Sequence, residues 1–209
     1  TPIFHHTLSK KINENFNIKF PIGFLNIGGI SNVTKVMNNT DNFQNNLSAF
    51  DIAPGNCLID EWVRRNSKKK FDQNGELAKV GKVDQLVLNQ AIDNFKINSY
   101  SQSLDIKNFD ISFARGLSLE DGCATITNFT AFLIAQGLEN ISKKNKILFL
   151  VCGGGRKNNN LIDCIKSYLI NSNNINLEII DNYNLNGDYI ESQAFAYLAI
   201  RSFLNLPIS

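Results

Sequence analysis

Glycine clusters at three places in this sequence, each directly after a short apolar run. The segments are Asn26-Ile27-Gly28-Gly29-Ile30-Ser31-Asn32, Phe50-Asp51-Ile52-Ala53-Pro54-Gly55-Asn56 and Val151-Cys152-Gly153-Gly154-Gly155-Arg156-Lys157-Asn158. A glycine turn at a strand end offers backbone N–H groups with no side chain in front of them, the chemistry of an anion cradle. Asn32 and Asn158 add amide donors. Asp51, expected at the end of its strand, adds a carboxylate for a substrate hydroxyl or a magnesium-bound water. Gly55 and Asn56 open a helix whose N-terminus favours anions. Singly, these features have ordinary explanations: a hairpin turn at Gly28-Gly29, an Asx turn and helix cap at Asp51 and Asn56. Successive glycines at 153–155 are costly unless something needs the space. Together the turns predict one site where strand ends converge on a phosphorylated ligand.

Such a site needs a sheet to carry it. Short apolar runs predict strands over 24–27, 33–37 and 47–50, joined closely enough for an antiparallel meander. A helix over 57–65 follows, with Asn56 as its N-cap. Helical spacing marks 77–80 and 83–95, while 106–113 reads as irregular. Ser118 and Asp121 have capping-box spacing and open a helix to about 139, so apolar that it is expected to be buried. The continuous apolar run at 147–152 predicts a central strand covered on both faces. A helix over 161–170, a strand over 177–180 and a last helix over 188–203 complete the pattern. Asp188 and Glu191 form a second capping box at the start of that helix. The expected architecture is α/β, a mixed sheet with a three-strand meander, then alternating units and flanking helices.

Composition narrows the partners. With 209 residues, 43% hydrophobic and 19% charged, the chain reads as one soluble domain or one lobe of a larger enzyme. A net charge of +2 with dispersed basic residues gives no footprint for nucleic acid. No apolar stretch is long enough for a membrane span, and no signal peptide is visible. Cys57, Cys123, Cys152 and Cys164 lack metal-site spacing, and the histidines are limited to His5 and His6. Reduced thiols in a cytoplasmic protein are therefore expected. The opening at Thr1 and the apolar close at Leu206-Pro207-Ile208 read as cuts through a longer protein.

Residues 26–32, 50–56, 117–125 (Leu-Ser-Leu-Glu-Asp-Gly-Cys-Ala-Thr), 152–158 and 191–199 (Glu-Ser-Gln-Ala-Phe-Ala-Tyr-Leu-Ala) together resemble the anhydro-N-acetylmuramic acid kinase family, over about 5–209. The resemblance implies the C-terminal lobe of a two-lobed sugar kinase with the actin-like ATPase (ribonuclease H-like) fold. It implies ATP and Mg2+ as cofactors, hydrolytic opening of the 1,6-anhydro ring, phosphorylation of O6, and a place in peptidoglycan recycling. Gly28, Gly29 and Asn32 match the second phosphate loop. Asp51, Gly55, Asn56, Gly153, Gly154, Gly155 and Asn158 complete the implied nucleotide site, and Glu191 matches a carboxylate facing the sugar. The family's first phosphate loop and catalytic aspartate have no counterpart here. No catalytic residue is therefore assigned, a missing N-terminal lobe is the implied partner, and the chain alone is expected to be inactive. A homodimer is left open.

Where the family has Thr-Gly, Ile52 and Ala53 stand; where it has two cations in the next loop, Gln102 and Ile106 stand. These departures keep alive a non-catalytic nucleotide-binding member of the superfold. A dinucleotide module is a further alternative, with strand 147–152, the glycine turn and Asp181 as a ribose-binding acid. Against it, Asn158 replaces the last glycine of that fingerprint.

Overall fold

Both faces of β1 (Ile22–Ile27) are covered, and the architecture follows from that. Ile22 and Phe24 point to one side, Leu25 and Ile27 to the other, all fully buried, as the two-residue period of a strand requires. The computed structural model describes residues 1–40, 43–95, 104–105, 109–143 and 145–208. In it β1 is the middle strand of a five-stranded sheet of order β3-β2-β1-β4-β5. β2 (Ile30–Val36) and β3 (Leu47–Pro54) complete the antiparallel meander, and β4 (Ile147–Cys152) and β5 (Ile175–Ile179) run parallel to β1.

The helices are α1 (Pro2–Phe16), α2 (Phe43–Asn46), α3 (Cys57–Asn66), α4 (Glu76–Val80), α5 (Gln85–Asn94), α6 (Leu119–Ser142), α7 (Asn159–Tyr168) and α8 (Ile190–Phe203). On one face, α3, α6 and α7 join Leu25, Ile27, Val33, Phe149 and Val151 in the larger core. On the other, α1 and α8 join Phe24, Val36, Leu150 and Cys152 in a smaller one. Among the described residues no helix is long and apolar enough to cross a membrane.

The structure departs from the sequence expectations at several element ends. α1 was not foreseen, although Phe4, Leu8 and Ile12 recur every fourth residue and all enter the smaller core. α2 interrupts the meander. The third strand runs on to Pro54, so Asp51 lies inside it and not at its end. Asn56 precedes α3 but makes no side-chain cap. Ser118 does cap α6, accepting the Asp121 N–H at 3.1 Å. The reciprocal half of that box is absent, because the Asp121 carboxylate takes the Lys82 N–H at 2.7 Å. The box at Asp188 and Glu191 does not form either, since ion pairs engage Asp188 and Tyr189 stands as N-cap with no side-chain bond. The expected irregular segment falls partly outside the described residues, at 106–108.

Trp62 locks α3 to α6. Its Nε1 donates to the Leu119 carbonyl at 2.9 Å, and a Cβ placed on Gly122 would lie 2.1 Å from its ring. Overpacking there has no room to relax. Gly122→Ala is expected to destabilise the fold by about 1–3 kcal/mol. Urea unfolding followed by the fluorescence of Trp62, the single tryptophan, measures it, and an unchanged midpoint would show that the two helices part freely.

Candidate functional site

Parallel neighbours end side by side. Asn26 of β1 lies opposite Cys152 of β4, so the turns at Gly28 and Gly153 leave the sheet at the same edge. The contact is close: a Cβ on Gly153 would sit 2.7 Å from the Ile27 carbonyl oxygen, and one on Gly155 would sit 2.2 Å from the Ile27 side chain. Gly153 also has φ +79, a left-handed geometry that glycine adopts without strain. The turn before α3 is tied to the same place by backbone. Gly55 N donates to Gly29 O at 2.8 Å, Asn56 N to Gly28 O at 2.8 Å, and Cys57 N to Gly29 O at 3.3 Å. The three turns expected from sequence therefore do converge.

Their glycines are not equivalent. Gly55 is required by packing, since its Cβ would stand 2.2 Å from the Gly28 carbonyl oxygen. The N–H groups of Gly55 and Asn56 are already bonded within the protein, which corrects the expectation that they face an anion. Gly28 and Gly154 differ. Neither has a positive φ, and a Cβ would find its nearest neighbours at 3.6 Å from Gly28 and at 4.0 Å, the Asn56 Nδ2, from Gly154. Gly29 and Gly154 are exposed.

Two hollows flank Gly154. One, of about 290 Å³, is walled by Asn26 and Asn32 from the sheet, His5 from α1, Gly153, and Glu191 from α8. The other, of about 400 Å³, is walled by Asn56, Asp60, Phe71, Asn74, Lys157 and Asn158. Asn158 caps α7, accepting the Leu161 N–H at 3.0 Å. Asp60 is half-buried, and that burial raises its carboxyl above the usual range despite Arg64 nearby. Asp51, Asn32, Asn26 and Cys152 lie in one row across neighbouring strands. Asp51 nevertheless lines neither hollow, and its Oδ2 accepts the Leu104 N–H at 3.0 Å. Ile52 and Ala53 are fully buried, so their side chains face the core and not a ligand. Gln102 and Ile106 lie outside the described residues.

Sequence reasoning missed Arg156. It is 7% exposed and donates to Asp181 at 2.8 Å, to Asp188 at 2.9 Å and to the Gly153 carbonyl at 3.2 Å. Lys157 pairs with Asp188 at 2.8 Å. These hydrogen bonds hold both carboxyls below the usual range, Asp181 through Arg156 and Asp188 through Lys157 first and Arg156 next. Asp181, the acid of the dinucleotide alternative, is thus engaged by Arg156 and by the Gly187 N–H. A cation directly after a glycine run was the available signal, because it can reach back to the turn it follows.

His5 was also missed. It is 2% exposed, lies flat on Phe24 with ring centroids 4.5 Å apart, and has a sealed Nδ1 with no partner among the described residues. Burial lowers its pKa to about 3. Burial likewise pushes the Cys152 thiol up to about 12, so it stays protonated beside the same hollow.

The sheet order, with β2 running against the other four strands, is that of the actin-like, ribonuclease H-like fold. A family model described as anhydro-N-acetylmuramic acid kinase matches residues 1–209, and the chain belongs to that family. A relative of that name from Pelagibacter ubique (strain HTCC1062) is 51% identical, with 100% of this chain and 54% of the relative covered. One from Rhizorhabdus wittichii is 35% identical, with 100% of this chain and 53% of the relative covered. The chain spans about half the length of the curated relatives it matches. Among solved structures, an activator of 2-hydroxyisocaproyl-CoA dehydratase from Clostridium difficile with bound ADPNP aligns with a TM-score of 0.48 at 15% identity, over 84% of this chain and 59% of that one.

Two outcomes follow from this geometry. Gly155→Ala is expected to lower the melting temperature, because the new methyl enters Ile27, while Gly154→Ala leaves it unchanged; equal melting of the pair would contradict the packing. The second concerns pH. The unfolded imidazole of His5 binds its proton near 6.5 and the folded one only near 3. Between those values the unfolded chain holds more protons, so stability falls as pH drops below 6.5. His5 alone should cost about 2 kcal/mol at pH 5 relative to pH 8. His5→Phe should shrink the acid-induced fall in melting temperature, and an identical fall in parent and variant would refute the assignment.

Proposed function

We propose that this chain forms the nucleotide-binding part and one wall of the sugar site of an ATP-dependent anhydro-N-acetylmuramic acid kinase, as its C-terminal lobe. In that reaction water adds at the anomeric carbon, the bond from that carbon to O6 breaks, and O6 takes the γ-phosphoryl group of ATP with release of ADP. The reading places the protein in the cytoplasm, in the recycling of cell-wall sugar.

The observation that carries the reading is the open space at Gly28 and Gly154. Other glycines of the three turns are held by strain or packing, as at Gly153, Gly155 and Gly55. Among the described residues nothing requires Gly28 or Gly154 to lack a side chain, so in this reading the open space serves a ligand. A phosphate chain laid across the two turns would meet bare backbone at each. The nucleoside end would then extend into the larger hollow beside Asn56 and Asn158, and the sugar would lie toward Asn32 and Glu191. Phosphoryl transfer depends mainly on positioning and charge stabilisation, which rigid strand ends provide.

In this reading the residue that would hold magnesium is Asp51. A carboxylate has about four lone-pair sites, and the Leu104 N–H occupies one, so Asp51 would hold the ion through water. The ion itself would neutralise phosphate charge.

Gly154→Val in the full-length protein tests the reading. ATP binding is expected to weaken by about tenfold or more, or 1.4 kcal/mol, with the melting temperature preserved. Calorimetric titration beside thermal melting separates the two effects. ATP affinity equal to the parent's in a folded variant would remove the turn from the nucleotide site.

A further inference from the structure

Large hydrophobic side chains left in solvent concentrate at one end of this chain. Phe195, Ile200, Phe203, Leu204, Leu206 and Ile208 all lie on α8 or just after it, with Phe195 66% and Phe203 86% exposed. A lone exposed apolar residue needs no explanation, but a contiguous patch marks a surface that something covers.

α8 is apolar on two sides. Ile190, Ala194 and Tyr197 pack into the smaller core. On the opposite side Phe195, Ala199 and Phe203 recur every fourth residue, all exposed, with Ile200 beside them. A helix with water on its outer side carries polar residues there, and one that is apolar all round is buried. Charge is also placed the wrong way for a solvated helix. Over 192–208 the charged side chain is Arg201, and it turns toward its own lobe. Its Nε donates to the Pro207 carbonyl at 2.6 Å, its Nη1 to the Tyr197 hydroxyl oxygen at 3.3 Å, and its guanidinium lies 6.0 Å from the Phe43 ring centroid. An outer face this apolar resembles half of a domain core, the character of a permanent contact and not of a transient one.

Length names the occupant. The chain spans about half of the curated relatives it matches, so in those proteins a body of comparable size accompanies it. Thr1 lines the smaller hollow together with Glu191 at the start of α8. Chain preceding Thr1 would therefore join the lobe where that hollow opens, beside the uncovered helix.

We propose that the outer face of α8, centred on Phe195 and Phe203, is the surface on which the other half of the full-length protein packs. This rests on the C-terminal-lobe reading given above and adds to it the contact that holds the two halves together. A body seated there also stands over the smaller hollow, opposite Glu191.

The test places a photoreactive benzoylphenylalanine at position 203 of the full-length protein and maps the cross-linked peptides by mass spectrometry. The expected product is a single polypeptide joined internally, from position 203 to residues outside this chain. A cross-link that joins two polypeptides assigns the face to a second copy and overturns the proposal. So does one confined to residues 1–209, and so does no cross-link at all. If the bulky probe prevents folding, photo-leucine, close to leucine in size, gives the same decision through Leu204 and Leu206. A folded full-length protein no longer than this chain overturns the lobe reading and this proposal together, whereas a failed cross-link in a longer protein falls on α8 alone.

Discussion

Everything at the candidate site depends on the parallel pairing of β1 with β4. Those strands are separated by more than a hundred residues, yet Asn26 lies opposite Cys152, so their chains leave the sheet together. The glycine run at 153–155 can then press against Ile27, close enough that two of its three residues have no room for a side chain. Parallel strands cannot be joined by a hairpin. Here the intervening chain builds α3 to α6 over the larger core before returning, and in doing so it delivers the Gly55 turn to the carbonyls of Gly28 and Gly29. One register thus assembles backbone from three distant segments.

Arg156 performs the complementary task of fixing what surrounds that backbone. It is nearly buried, so its charge needs partners, and it has them in Asp181 after β5 and Asp188 before α8. The same guanidinium bonds the Gly153 carbonyl. The turn, the end of the sheet and the start of α8 are therefore linked through one planar fork, the geometry for which arginine is suited. The α8 residue Glu191 reaches the smaller hollow because of where that link places the helix start. Sequence spacing alone reads Asp188 and Glu191 as a capping pair. An ion pair to a buried arginine is the stronger attraction for a carboxylate, and it takes Asp188 away from the helix end.

The fold was largely legible because its signals are local. Short apolar runs joined closely gave the meander, a continuous apolar run gave β4, and the apolar segment from 118 to about 139 gave a buried α6. α1 carried an equally clear stripe in Phe4, Leu8 and Ile12, but a helix at the beginning of a sequence has no preceding turn to mark its start. Element ends were read less well. Asp51, Asn56, Asp121 and Asp188 all have side chains suited to local hydrogen bonds, and in three of them a distant partner is bonded instead: Leu104, Lys82 and Arg156.

By itself, the amino-acid sequence determined the order of the strands and of the helices from α3 onward, the three glycine turns, and through its motifs the family to which the chain belongs. These follow from side-chain polarity and backbone freedom, properties each residue carries wherever it sits. Tertiary structure alone decided which glycines are needed for packing and which face open space, since that depends on what lies within a few ångströms: Ile27 for Gly155, the Gly28 carbonyl for Gly55, and no close neighbour for Gly154. It also decided that His5 stays neutral and that Arg156 is held by carboxylates. Burial and ion pairing are set by contacts between segments far apart in the chain, and no local pattern encodes them.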